Sequence, residues 1–248
     1  MLFLLRKIRK KLMEKNRFTT YLLYAVGEII LVVIGILIAL QINNWNAQRL
    51  NQKKEQGYLL EIKSNLETDL LQIDKVLTFN KDKADKIMEC FVEFQNIGTS
   101  TTTSNEILGR RLGVIGSFET LNPNRLGFEN LQSAENIELI SNSDLRKQIL
   151  DYYSSDLESG TQNRMVDVSR AFIDYIAPKT TTKELMQRFY KLNLDLPSDA
   201  EGMLHKDQQA ISSLNLILIV MDSQNDLVTE KREQIQQLIE QIDQELID

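Results

Sequence analysis

Cysteine, histidine and proline are scarce in this 248-residue chain, and each scarcity closes off a class of structure. Cys90 is the only cysteine, so no intrachain disulfide can staple the fold, and with His205 as the only histidine no Cys/His zinc cluster can form. A serine or cysteine hydrolase needs a base beside its nucleophile, and a single histidine next to an acidic loop argues against a triad. Three prolines and ten glycines leave few punctuation points, and no segment keeps a strand-like alternation for long. An all-α fold with long helices is the economical reading. No Asn-x-Ser/Thr sequon occurs, which suits a bacterial envelope protein better than a glycosylated secreted one.

Charge is present but unevenly placed. Seven of the 29 basic residues (Arg6, Lys7, Arg9, Lys10, Lys11, Lys15 and Arg17) precede the long apolar run, opposed there only by Glu14. From Trp45 onward 22 basic residues meet 33 acidic ones, a net charge of −11 that repels phosphate backbones and excludes nucleic acid as a partner.

Between these regions residues 21–42 are apolar apart from Glu28 and Gln41, and at about 1.5 Å each they span roughly 33 Å, enough for a bilayer core. The run exceeds a signal-peptide h-region and no Ala-x-Ala site follows, so it is expected to remain as an anchor in the lipid bilayer. The preceding cations place the N-terminus in the cytoplasm, and Trp45 suits the opposite membrane interface. Leu5, Ile8 and Leu12 share a helical face among the cations. The tail is therefore either laid on anionic lipids of the inner leaflet or a plain basic flank. The expected organisation is a basic cytoplasmic tail (1–20), a transmembrane helix (21–42), a juxtamembrane connector (43–57) and an extracytoplasmic helical bundle (58–248). The corresponding location is the bacterial cytoplasmic (inner) membrane, single-pass.

Glu28 is the costly residue of the anchor, since a carboxylate inside a membrane is unfavourable by about 3 kcal/mol even on lenient scales. At 100° per residue Gly35 and Ala39 fall within about 20° of it, and Tyr24 and Ile42 within about 40°. Small residues four apart let backbones approach, so this face reads as a contact with another transmembrane helix, in a homo-oligomer or with a partner membrane protein. Interfacial snorkelling, a protonated carboxyl and a proton relay are the competing readings.

The stretch Tyr24-Ala25-Val26-Gly27-Glu28, continuing through Gly35 and Ala39 to Gln41-Ile42-Asn43-Asn44-Trp45-Asn46, resembles the hallmark of an uncharacterised family of bacterial single-span envelope proteins. Phe128-Glu129-Asn130-Leu131, Ile137 to Asn142, Leu145-Arg146 and Tyr152-Tyr153 extend the resemblance over nearly the whole chain. Members of the family it resembles often carry a glycine in the turn where this chain has Ala134-Glu135-Asn136. The resemblance implies topology and no activity.

Beyond Asn46 helix formers dominate, with Gly57 the first plausible break. Leu70, Ile73, Leu77, Asn80, Ala84, Ile87, Phe91 and Phe94 step alternately by three and four, a heptad seam in which Asn80 either fixes register or is half-exposed, the second being preferred. Met88 and Cys90 flank it, with Cys90 expected to be buried. The polar run Gly98 to Ser104 ends this helix. Gly109, Gly113 and Gly116 lack the lysine of a phosphate loop and read as close packing or a broken helix. Asn122-Pro123-Asn124 forms a turn, Leu126 to Leu131 a short helix reversing near Ala134. One helix capped by Asn142 or Ser143 is then expected to run toward Ile176 and stop at Pro178. Lys183 to Leu192 forms an amphipathic helix, and a last helix from about Met203 is buried over Leu214 to Met221 and continues through Ile235, Leu238, Ile242 and Leu246.

None of this assembles a reaction. His205, Asp207 and Glu201 are too few for a metal site, and Tyr152, Tyr153 and Arg146 fit a core better than a groove. No catalytic residue, cofactor or metal is expected, and the chain is read as non-enzymatic. It is a membrane-tethered scaffold or accessory subunit that binds other membrane or periplasmic proteins through its helices. The alternative is a ligand-sensing domain that signals through a partner, since so short an inner tail cannot hold an output domain.

Overall fold

The structure is a computed structural model that describes residues 18–96, 105–155, 158–198 and 200–247. The basic tail up to Arg17 and the polar run Gly98 to Ser104 lie outside these residues. Among the described residues the chain is all-helical, with no strand. In order it forms α1 (Phe18–Asn96), α2 (Asn105–Gly116), α3 (Leu126–Ser133), a 3-10 turn (Ile137–Leu139), α4 (Ser143–Ser154), α5 (Asn163–Thr180), α6 (Lys183–Tyr190), α7 (Ala200–Leu204) and α8 (Gln208–Ile247).

The chain divides into two compact units, Met1–Gln56 and Gly57–Asp248. The expected break at Gly57 does not occur in the backbone: α1 is helical on both sides of it. Burial begins instead at Glu55, just before it. From Val26 to Lys54 every α1 side chain is exposed, whereas Leu59, Ile62 and Leu66 are fully buried. The apolar part of α1 is long enough to cross a membrane by length and composition, and none of the described residues buries it.

Within Gly57–Asp248, α1 and α8 run antiparallel. Lys63 pairs with Asp243, Asp74 with Arg232, and Asn80 with Gln224 and Asn225, so partners rise along one helix as they fall along the other. The buried seam of α1 is Leu59, Ile62, Leu66, Asp69, Ile73, Val76, Asn80, Lys83, Ile87 and Cys90, an unbroken alternation of three and four. α8 answers with Ala210, Leu214, Ile217, Met221, Gln224, Val228, Ile235, Leu238 and Ile242. The seam expected from apolar residues alone shares Ile73, Asn80 and Ile87 with it. Its other members, Leu70, Leu77, Ala84, Phe91 and Phe94, form a half-buried flank. The displacement has a physical cause: Asp69 and Lys83 occupy interior positions that a search for hydrophobic residues passes over. Asn80 is 1% exposed rather than half-exposed. Cys90 is buried and Met88 points outward.

Two large apolar cores and a small cluster of Met165, Val220 and Met221 lie along this pair. One joins Leu59 to Val76 of α1 with Leu121, Phe128, Leu131, Ile140, α4 and Val228 to Ile242 of α8. The other joins Ile87 and Cys90 with α2, Phe172 and Ile176 of α5, Ala200, Leu204 and Ala210 to Ile217. Removing any one of these fully buried aliphatic side chains costs about 2–5 kcal/mol.

The helix expected from Asn142 to Ile176 is two helices. Asn142 caps α4 as expected, its side chain accepting the N–H groups of Asp144 and Leu145. α4 then stops at Ser154, where Ser155 turns back onto the Tyr152 carbonyl, and Gly160 adopts φ −104°, ψ −129°, outside helical space. Pro178 lies inside the last turn of α5, which closes at Thr180. α8 begins at Gln208 rather than Met203, because Asp207 accepts the N–H groups of Gln209 and Ala210 as its cap. Leu216 and Ile219 of its apolar run are exposed, so that stretch is buried on one face only.

Candidate functional site

The residues singled out in the apolar helix keep the placement their spacing implies and are left uncovered by the described residues. Glu28, Gly35 and Ala39 are exposed, and no atom lies within 4 Å of a Cβ built on Gly35. Trp45 is 63% exposed, with the Arg49 guanidinium 5.8 Å from its ring centroid. The three residues share a face of one helix, and among the described residues no second helix long and apolar enough to cross a membrane is present to meet them.

A second assembly of polar groups went unseen in the sequence. Ser117 to Arg125, the non-helical segment between α2 and α3, is held through its backbone by side chains of α1 and α8 and by Gln162, the residue before α5. Lys83 donates to the Ser117 carbonyl (2.8 Å), and Gln224 to that of Glu119 (3.0 Å). Gln162 accepts the Leu121 N–H and donates to the Leu121 carbonyl (2.6 and 3.1 Å). The N–H groups of Asn122 and Asn124 donate to Gln72 and Asp69. A segment with no ladder or helix of its own must have its buried amides satisfied by side chains, which explains four polar residues in otherwise apolar positions. The signal for them was the heptad itself, which runs unbroken only if Asp69 and Lys83 are admitted to it.

Lys83 is 0% exposed and its ammonium touches Ser117, Ser169 Oγ (2.9 Å) and Met165 Sδ (3.7 Å), with no carboxylate among its contacts. Burial lowers its pKa from 10.5 to about 8. Asp69, also fully buried, accepts from Tyr152 Oη and the Asn124 N–H, both at 2.8 Å. Burial raises its pKa, and those two hydrogen bonds pull it partly back. Burial and the neighbouring Asp69 push both the Tyr152 and Tyr153 hydroxyls up.

Tyr152 and Tyr153 belong to the core. Tyr153 stacks on Phe128 (centroids 4.7 Å apart), meets Tyr152 edge-on at 4.9 Å, and is covered by Arg125, which donates to its carbonyl. The Tyr153 hydroxyl is buried without a hydrogen-bond partner. Arg146 is engaged with Glu138 and the Ile140 carbonyl.

His205 Nδ1 lies 2.9 Å from the Gly202 carbonyl. Asp207 is used as the α8 cap and accepts from Tyr175 and Lys179. Burial alone would raise its pKa, but Lys179, the Ala210 N–H and Tyr175 outweigh that and hold it at about 2. Among the described residues no group of three or more His, Cys, Asp or Glu side chains could hold a metal ion.

A family model described as a family of unknown function (DUF6090) matches residues 28–157, just over half of the chain. The match starts inside the anchor and takes in the Phe128 to Tyr153 stretch, a shorter reach than the near full-length resemblance read from the sequence. No curated protein and no solved structure matches the chain.

Proposed function

The chain belongs to DUF6090, a family of unknown function, and from that premise we propose that it is a membrane-tethered scaffold or accessory subunit rather than an enzyme. The observation that carries this reading is the contrast between the two units. Gly57–Asp248 closes its own apolar cores, while the apolar part of α1 leaves every side chain from Val26 outward uncovered, including the Glu28, Gly35 and Ala39 face. A lone helix needs only lipid around it, but a carboxylate beside small residues favours a second helix that can satisfy the acid and approach closely. The partner is a second copy of the chain or the span of another membrane protein. In this reading the chain is a single-pass protein of the bacterial inner membrane, N-terminus in the cytoplasm and helical bundle outside, oriented by the seven cations of the tail.

Reporter-based association of the span in membranes tests the contact. Gly35→Leu should weaken association, whereas Val33→Leu on another face should not, and equal association of both with wild type would sink the contact. Glu28→Gln keeps the hydrogen bonding of a protonated acid, so a mild effect supports a structural contact and a severe one a proton relay. Orientation is tested by protease treatment of spheroplasts, in which the domain should be lost without lysis.

A further inference from the structure

Within Gly57–Asp248 the described chain passes four times between the two large cores: along α1 from Val76 to Ile87, through Ser117 to Leu121, from α4 to α5, and along α8 from Ile217 to Val228. Each crossing brings polar groups to the same layer. Asn80 of α1 donates to Gln224 and Asn225 of α8, and Lys83 donates to the Ser117 carbonyl and to Ser169 Oγ of α5. Gln224 holds the Glu119 carbonyl, and Gln162 holds both backbone groups of Leu121. Asn80, Lys83, Ser169, Gln224 and Gln162 are all buried, so the layer runs through the interior of the bundle.

The cores on either side of it share no member. The proximal half, next to Gly57 along α1, contains α3 and α4 with residues 59–76 of α1 and 228–242 of α8. The distal half contains α2, α5, α6 and α7 with the remainder of α1 and α8: α2 packs on α5, α6 and α7, and α5 on α7. The small cluster of Met165, Val220 and Met221 goes with the distal half, whose half-buried Val168 and Leu218 it shares.

Shared apolar burial is what makes two regions unfold together, and at this layer it is interrupted. The groups that part there are hydrogen-bonding ones that water can serve, and the Lys83 ammonium, with no carboxylate among its contacts, regains its hydration when they part. Two of the four crossings are non-helical, so the halves can separate without breaking a helix at those points. The proximal half is the better secured, by the Phe128, Tyr152 and Tyr153 rings and the Tyr152 bond to Asp69. The distal half ends in α6, none of whose residues is fully buried. We propose that the polar layer is a built-in breakpoint at which the distal half opens as one unit while the proximal half stays folded. The open form exposes the apolar distal core that the closed bundle hides.

Native-state hydrogen exchange of the full chain in detergent, at rising sub-denaturing urea, tests this with one substitution in each core. Both Ile149 (proximal) and Leu214 (distal) are fully buried or nearly so. Ile149→Ala should lower the protection of proximal amides, residues 62–76, 145–153 and 231–242, by about 30-fold or more and leave distal amides of α2, α5 and 210–217 unchanged. Leu214→Ala should lower both sets by the same factor, because the proximal half is reached only through the state in which the distal half is already open. Distal protection that falls with Ile149→Ala overturns the proposal, since the bundle then opens as one unit or from the proximal side. Proximal protection unchanged by Leu214→Ala also overturns it, since the proximal half then opens by itself. If either alanine variant lacks the wild-type helical circular dichroism, Ile149→Val and Leu214→Val replace them, with the same pattern expected at smaller factors.

Discussion

Lys83 offers a way to weigh the buried polar layer. Its ammonium is fully buried without a carboxylate, and its pKa falls from 10.5 to about 8. At about 1.4 kcal/mol per unit, keeping the charge in the folded state opposes folding by about 3 kcal/mol at neutral pH. Between pH 8 and 10.5 the unfolded chain holds the proton and the folded chain does not. Stability should therefore rise with pH across that window, level off above it, and be insensitive to this group below about pH 7. Lys83→Met keeps the stem and removes the charge, but leaves the Ser117 carbonyl and Ser169 hydroxyl without their donor, a cost of about 1–3 kcal/mol. The variant should be as stable as wild type or up to about 2 kcal/mol more stable at pH 7, and less stable by about 1–3 kcal/mol above pH 10, where the neutral amine keeps its hydrogen bonds at no charge cost. Urea unfolding of both detergent-solubilised chains, followed by helical circular dichroism from neutral to alkaline pH, gives a difference in which other titrations cancel. A difference that does not change sign or slope with pH would refute the assignment of Lys83 as a charge held against its solvation.

Three further substitutions follow from local geometry. Tyr153→Phe removes a buried hydroxyl without a partner and should raise the unfolding free energy read from urea titration by about 1 kcal/mol, whereas Tyr152→Phe takes a donor from buried Asp69 and should lower it by about 1–3 kcal/mol. Gly116→Ala would set a Cβ 2.0 Å from Ile173 Cδ1, on a β-branched side chain with little rotamer freedom in a helix, and should cost about 1–3 kcal/mol in thermal unfolding. Gly109→Ala in the same helix meets open space and should gain about 0.5–1 kcal/mol. Glu135 sits at φ 54° in the turn after α3, so Glu135→Gly should raise the melting temperature, by about 1–2 kcal/mol of stability, and an unchanged midpoint would show that the turn carries no strain.

The long apolar helix, the all-helical character of the described residues, the buried α8 stripe from Ile235 to Ile242 and the Asn142 cap were all legible from residue order. Each depends on periodicity or a side chain's reach to its own neighbours, which are local properties. The same is true of the common face of Glu28, Gly35 and Ala39, which helix geometry dictates. Tertiary structure decided what local rules cannot weigh. Apolar periodicity passes over Asp69 and Lys83 and leaves Asn80 half-exposed, because each is worth burying only when a partner distant in sequence needs it. Asp69 and Lys83 bond the backbone of Asn124 and Ser117, and Asn80 bonds Gln224 and Asn225. The break between α4 and α5 likewise carries Gln162 to Leu121, where a continuous helix would have left that amide and carbonyl buried and unpaired. Hydrophobic pattern decides which faces turn inward, but the cost of burying an unsatisfied backbone group decides which polar residues go with them, and only the folded chain shows where those groups lie.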